Sequence, residues 1–289
     1  QMVLLANGCI CCTVRGDLIG AFERLSQSPQ AQRGALRHVV VETTGLADPA
    51  PILHTLMGDA RLARHWRLAG VACTVDAYNA TATLDQHREA VKQAAVADRL
   101  LLTKTDLVPT AELTPLLERL HGINPLATVT QGPAAALEEL QGLLSRANPA
   151  QVRAHADERR SSFFPVSAST RHDPNRHDDQ IRSHVIVRDQ PLSRAGFMAW
   201  LDMVSTMRGD DLLRVKGIVQ LADDPEHPIV IHGVQHLFHP PETLARWPSE
   251  DRRTRIVFIT RNIELEDIET TLSVFERRHA RGARSPQPI

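Results

Sequence analysis

Leu100-Leu101-Leu102-Thr103-Lys104-Thr105-Asp106-Leu107 opens as an apolar run with no polar alternation and closes on a Lys-x-Asp triplet. A strand that is apolar at every position is buried on both faces, which is how parallel sheets covered by helices read. Outward from it, similar short runs recur at Val39-Val40-Val41, Val71-Ala72-Cys73-Thr74-Val75 and Ala127-Thr128-Val129-Thr130. Longer stretches with helical spacing separate them, at residues 51–63, 84–97, 111–120 and 134–146. Short buried strands alternating with helices predict an α/β domain with a mostly parallel sheet over residues 1–148.

The pattern then breaks. Residues 149–180 are polar, rich in Arg, Asp and His, and punctuated by Pro149, Pro165 and Pro174, as expected of a linker. Beyond it, strands are expected at 183–188, 212–221, 229–238 and 255–260, with helices near 194–207 and 265–278. Several strands in succession flanked by two helices predict a smaller α+β domain over 181–289 with a partly antiparallel sheet. The 289 residues allow two domains, and 42% hydrophobic with 23% charged residues is ordinary globular composition, which excludes disorder and collagen-like repeats. A net charge of −1 supplies no overall field for a nucleic-acid backbone or an anionic membrane. No apolar stretch reaches the ~20 residues needed to span a bilayer, so a cytoplasmic protein is expected, without nucleic-acid or membrane partners.

Three constellations carry chemistry. Val39-Val40-Val41-Glu42-Thr43-Thr44-Gly45 is a run ending in an acid, with a glycine three residues later. Such an acid can hold a Mg²⁺-bound water beside a γ-phosphate, and the glycine lets a backbone N–H approach it; a polar strand end followed by a turn reads the same way. In the Lys104-x-Asp106 triplet, a carboxylate can accept from the N1–H and N2–H₂ edge of guanine while the lysine stem packs on the base. Adenine offers a lone pair at N1 and is repelled, although alone the triplet is equally a solvated loop. Of the four cysteines, Cys9, Cys11 and Cys12 crowd into Asn7-Gly8-Cys9-Ile10-Cys11-Cys12, while Cys73 stands alone in a strand that reads as buried. Thiols so close cannot form a disulfide framework; metal ligation, redox chemistry and coincidence remain open, with thiolates converging on one soft cation weighed first.

Taken together, the segments Leu5-Ala6-Asn7-Gly8-Cys9-Ile10-Cys11-Cys12, Glu42-Thr43-Thr44-Gly45-Leu46-Ala47-Asp48-Pro49, Ala97 to Asp106 and Leu213-Arg214-Val215-Lys216-Gly217 resemble the CobW-type GTPases, particularly their YjiA-like branch. The resemblance implies a P-loop GTPase-like sheet followed by a CobW C-terminal domain. It implies a GTP- and Mg²⁺-using hydrolase that binds Zn²⁺ or Co²⁺ and delivers it to a client metalloprotein, with a homodimer possible. Carried over by position, Cys9, Cys11 and Cys12 match the metal motif, Glu42 and Gly45 the catalytic switch element, Thr103, Lys104 and Asp106 the guanine loop, and Val129 and Thr130 the last base-contacting loop. Thr103 stands where the general motif has Asn, and a hydroxyl tethers the neighbouring loop less well than an amide.

One family element is absent. GxxxxGK[ST] occurs nowhere, and the lysine of Lys216-Gly217 is in the wrong order. Without that cradle phosphate binding loses most of its favourable terms. The family places the loop before the cysteines, so the expectation is that the chain begins downstream of it and that the intact product carries it. If the chain is complete, a non-hydrolysing metal-binding or regulatory module becomes the better reading, and a thiol redox protein is a third. His155, His172, His177 and His184 offer an accessory metal role in and beside the linker, while His232, His236 and His239 read as partly buried or interfacial.

Overall fold

A computed structural model describes residues 13–146 and 181–282. They form two compact units, one around a parallel sheet and one around an antiparallel sheet. The cysteine cluster and the stretch read as a linker lie outside the described residues.

The first unit opens with helix α1 (Thr13–Ser26) and the short α2 (Pro29–Gln32), followed by α3 (Ala50–Gly58) and α4 (Ala60–Ala63). Leu18, Ile19 and Phe22 share one face of α1 and are buried with Leu62 of α4, a helical i, i+1, i+4 stripe. The sheet has the order β1 (Ala72–Asp76), β2 (Arg99–Thr103), β3 (Thr128–Gln131), all parallel. Helices α5 (Ala80–Gln86) and α6 (Arg88–Val96) cross from β1 to β2, α7 (Thr110–Ile123) lies between β2 and β3, and α8 (Pro133–Arg146) follows. Leu100, Leu101 and Leu102 are no more than 4% exposed, so the central strand is buried on both faces as its unbroken apolar run predicts.

Three expected elements of this unit differ from the structure, and in the second unit the strand expected over 229–238 is two strands that turn at Gln235 and His236. The run Val39-Val40-Val41 forms no strand: Val40 is 80% exposed, while Val39 and Val41 pack on the α1–α4 cluster. A strand exists only where a neighbour takes its N–H and C=O groups, and no described strand pairs with this segment. The helix expected over 51–63 breaks at Asp59, whose backbone is extended and whose carboxylate accepts from Arg61 N at 2.9 Å, starting a new helix. The one expected over 84–97 breaks at His87, likewise extended at φ −123° and ψ 108° but without a side-chain cap.

In the second unit the strand order is β4 (Ile181–Arg188), β9 (Thr254–Arg261), β5 (Leu212–Leu221), β6 (Asp224–Val234), β7 (Leu237–Phe238), with β8 (Glu242–Thr243) also on β6. All these strands pair antiparallel. Helices α9 (Arg194–Arg208) and α10 (Leu265–Gly282) bury Trp200, Leu201, Ile268 and Leu272 against Ile186, Val215, Ile231 and Phe258. Trp200 is fully buried, edge-on to Phe258 at 5.9 Å, and its indole N–H donates to Thr271 Oγ1 at 3.0 Å. No described helix is long and apolar enough to cross a membrane.

Candidate functional site

Because β1, β2 and β3 run parallel, their carboxyl ends emerge on one edge of the sheet, where open α/β sheets bind ligands. The register sets Asp76 opposite Thr103 and Gln131 opposite Leu102, so three loops begin side by side. Ala77 N donates to Thr103 O at 3.0 Å, and the Thr103 hydroxyl donates to Val75 O at 3.3 Å, stitching the loop after β2 to the end of β1. The hydroxyl thus ties two strand ends rather than reaching across to a further loop.

Lys104 has φ 56° and ψ 29°. A non-glycine residue in this left-handed region costs roughly 1–2 kcal/mol and persists only where its surroundings hold it. Here its ammonium sits 2.6 Å from Asp76 Oδ2. Asp76 also accepts from Tyr78 N at 3.1 Å and from Asn79 Nδ2 at 2.9 Å. The Lys104 hydrogen bond, seconded by Asn79, holds the Asp76 carboxyl below its ordinary range. Asp106 follows in a single 3-10 turn, Thr105–Leu107, with its carboxylate exposed. Val129 and Thr130 lie within β3 opposite Leu100 and Leu101, and the loop proper opens at Gln131-Gly132, where Gly132 takes φ 83°. The structure therefore brings Thr103, Lys104 and Asp106 beside the β3 exit, and adds Asp76 and Asn79, which the sequence reading did not single out. The available signal was the apolar run ending in an acid at Val75-Asp76, the same pattern noticed at Val41-Glu42.

Glu42 and Gly45 lie on an exposed irregular segment ahead of α3. That segment is tethered to α6: Gln93 Nε2 donates to Gly45 O at 3.0 Å and to Ala47 O at 2.8 Å, and Lys92 Nζ meets Asp48 Oδ2 at 2.8 Å. Burial works against the charge of Asp48, but Lys92 and the Ala50 N–H together hold its pKa down. The Glu42 carboxylate is exposed and hard, which suits Mg²⁺, an ion that keeps several waters and takes one or two protein carboxylates. Cys9, Cys11 and Cys12 lie outside the described residues, and among the described residues no group of three or more His, Cys, Asp or Glu is arranged to hold a metal. Cys73, the isolated thiol of β1, is half-buried, and burial pushes its pKa up to about 11, unlike a reactive thiolate. A cavity of about 640 Å³ in the same unit is lined by parts of α1 and α4 with Leu36 and Arg37, and none of the strand-end residues borders it.

Comparison with known proteins adds to this geometry. Residues 1–131 match the family described as CobW/HypB/UreG, nucleotide-binding domain, and residues 181–276 match the Cobalamin synthesis protein cobW C-terminal domain. The zinc chaperone YjiA of Escherichia coli is 30% identical over 276 residues, covering 94% of this chain and 81% of that protein. The zinc-regulated GTPase metalloprotein activator 1 of Schizosaccharomyces pombe is 26% identical over 294 residues, covering 91% and 69%. The crystal structure of Zn(II)-bound YjiA GTPase from E. coli superposes with a TM-score of 0.65 at 27% identity, covering 90% of this chain and 76% of that one.

Proposed function

Since the chain belongs to the CobW/HypB/UreG family and carries its CobW C-terminal domain, we propose that it is a GTP-hydrolysing metallochaperone that carries zinc and hands it to a client metalloprotein. The observation that carries this reading is the strand-end constellation: Lys104 held left-handed by Asp76, with Asp106 left exposed at the carboxyl edge of a parallel sheet. An exposed carboxylate with no partner among the described residues is what recognition of the guanine N1–H and N2–H₂ edge requires. Relatives named as zinc chaperones and as a GTPase activator of metalloproteins support both halves.

In this reading Asp106 takes the base edge, Lys104 covers the base plane, Thr103 keeps the loop on β1, and Val129 and Thr130 lead into the loop closing the other side. Glu42 would hold Mg²⁺ through water, with Gly45 giving the phosphate access to backbone; the ion would neutralise charge developing on the transferred phosphate. Cys9, Cys11 and Cys12 supply soft ligands for the cargo ion, Zn²⁺ or Co²⁺, and three thiolates leave a coordination position open for transfer. Lys92 and Gln93 position the segment bearing Glu42 and Gly45.

A second reading has one observation in its favour: GxxxxGK[ST] does not occur in the sequence. A metal-binding module that does not turn over would need no such cradle. Measuring zinc stoichiometry and GTP turnover on the same preparation separates the two. The proposal expects Zn²⁺ binding that falls by about one equivalent when Cys9, Cys11 and Cys12 are changed together to Ser, and GTP turnover by a chain supplied with a phosphate-binding loop ahead of Gln1. Turnover absent from both forms, with cysteine-dependent zinc retained, would leave the binding module. Unchanged zinc in the triple variant would remove the cysteines from the metal assignment.

A further inference from the structure

We propose a second metal site, independent of the cysteines and of nucleotide, on the β6–β7 hairpin, formed by His232 and His239 and suited to a borderline divalent cation such as Zn²⁺ or Co²⁺. The pairing of Gly233 with Phe238 and Val234 with Leu237 places His232 directly across from His239, and His239 N donates to His232 O at 2.9 Å. Residues opposite one another on antiparallel strands project from the same face. The two half-buried imidazoles indeed meet, with ring centres 5.4 Å apart and planes at 54°. Two imidazoles sharing one tetrahedral Zn²⁺, each nitrogen at about 2.0–2.1 Å, have ring centres roughly 5 Å apart, close to the separation of this pair.

The backbone is set against drift. Gln235 at the turn adopts φ 53° and its N–H donates to Leu212 O at 2.7 Å, anchoring the hairpin tip to the start of β5. Gly233, beside His232, has Phe238 packed against it, its ring 2.6 Å from where a Cβ would stand. Lys216 faces His232 from the other side, on β5. Its positive charge weakens the attraction for a cation, so the site favours an ion that binds imidazole strongly. Glu242, exposed on β8 opposite Val230, stands further along the same face with a carboxylate. Two imidazoles fill two of the four positions of a tetrahedral ion, and a site completed by water or by another donor can exchange its ion.

The test uses the full chain with Cys9, Cys11 and Cys12 changed to Ser, which silences the thiolate site. Titrated with Co²⁺ alone, this protein should bind one equivalent whose spectrum carries d–d bands without thiolate charge transfer, and H232Q or H239Q should weaken that binding at least tenfold. Circular dichroism of each variant checks that the hairpin change has not unfolded the unit. In the chain with its cysteines intact, Zn²⁺ should protect His232 and His239 from diethyl pyrocarbonate, read by peptide mass spectrometry, more than it protects the exposed His121. Equal Co²⁺ affinity in the parent and both variants, or equal modification of the pair with and without Zn²⁺, overturns the proposal. Neither result depends on whether GTP is hydrolysed.

Discussion

Asp106 is the residue on which the nucleotide reading turns, and its chemistry can be inverted. Guanine presents two donors to a carboxylate, N1–H and N2–H₂; xanthine keeps N1–H but carries a carbonyl at C2. An Asn at position 106 keeps one acceptor and gains one donor, so it opposes guanine's amino group and matches xanthine's carbonyl. D106N should weaken GTP binding at least tenfold and bind xanthosine triphosphate more tightly than GTP, measured by displacement of a fluorescent nucleotide. Unchanged preference for GTP would take Asp106 out of base recognition. Lys104 and Asp106 were legible from sequence because an apolar strand ending in Lys-x-Asp is a short-range pattern. Asp76 was not singled out, since its role arises from a contact with Lys104, 28 residues away, that exists only once β1 and β2 pair. The same holds for Lys92 and Asp48, 44 residues apart.

At the scale of elements, periodicity carried most of the antiparallel unit: the expected strand at 212–221 coincides with β5, and the last helix starts at Leu265 as expected. Apolar periodicity failed where tertiary pairing decides. Val39-Val40-Val41 has strand composition but no ladder partner among the described residues, and α1 was passed over because its buried face of Leu18, Ile19 and Phe22 is narrow and its sequence holds Gly16 and Gly20, both poor helix formers. The breaks at Asp59 and His87 are invisible to composition, since each is one residue turned extended. Where elements press close, a single methyl is the probe. Gly233 on β6 has Phe238 Cε1 2.6 Å from the place a Cβ would occupy, with two more ring atoms within 2.9 Å. G233A must push the Phe238 ring aside and with it β7, a two-residue strand held to β6 at Gly233 and Val234. Overpacking of this kind costs about 1–3 kcal/mol. A drop of that size in the urea-unfolding free energy of the second unit, followed by Trp200 and Trp247 fluorescence, is expected; G142A, on α8 with nothing within 4 Å, should not fall.

For the whole molecule, the titrating groups fix a window of stability. The carboxyls of Asp48, Asp59, Asp76, Asp223 and Asp251 are all held below their ordinary range. Asp251 goes furthest, to about 2, because the Arg253 hydrogen bond outweighs its burial and Arg255 adds attraction. A depressed folded-state pKa stabilises the fold above the unfolded value of 3.8 and is lost as pH falls through the folded one, so acid weakens the protein between about pH 4 and 2. Cys73 acts at the other end with the same linkage and opposite sign. Its thiol, raised from 9.0 to about 11 by burial, favours the folded state below pH 9, and that contribution is lost as pH climbs from 9 to 11. Urea midpoints taken across pH should hold level between these limits and fall on both sides. D251N should lessen the acid loss of the antiparallel unit and C73A should flatten the alkaline side, each leaving the other limb in place. Cys73 lies on β1 in the parallel unit, so the alkaline limb reports on that unit, whereas the acid limb draws on both, through Asp48, Asp59 and Asp76 in the parallel unit and Asp223 and Asp251 in the antiparallel one. Trp66 fluorescence should follow the alkaline loss and part of the acid one, and Trp200 with Trp247 the part of the acid loss that D251N reduces. An alkaline limb that C73A leaves untouched would place that titration elsewhere in the chain.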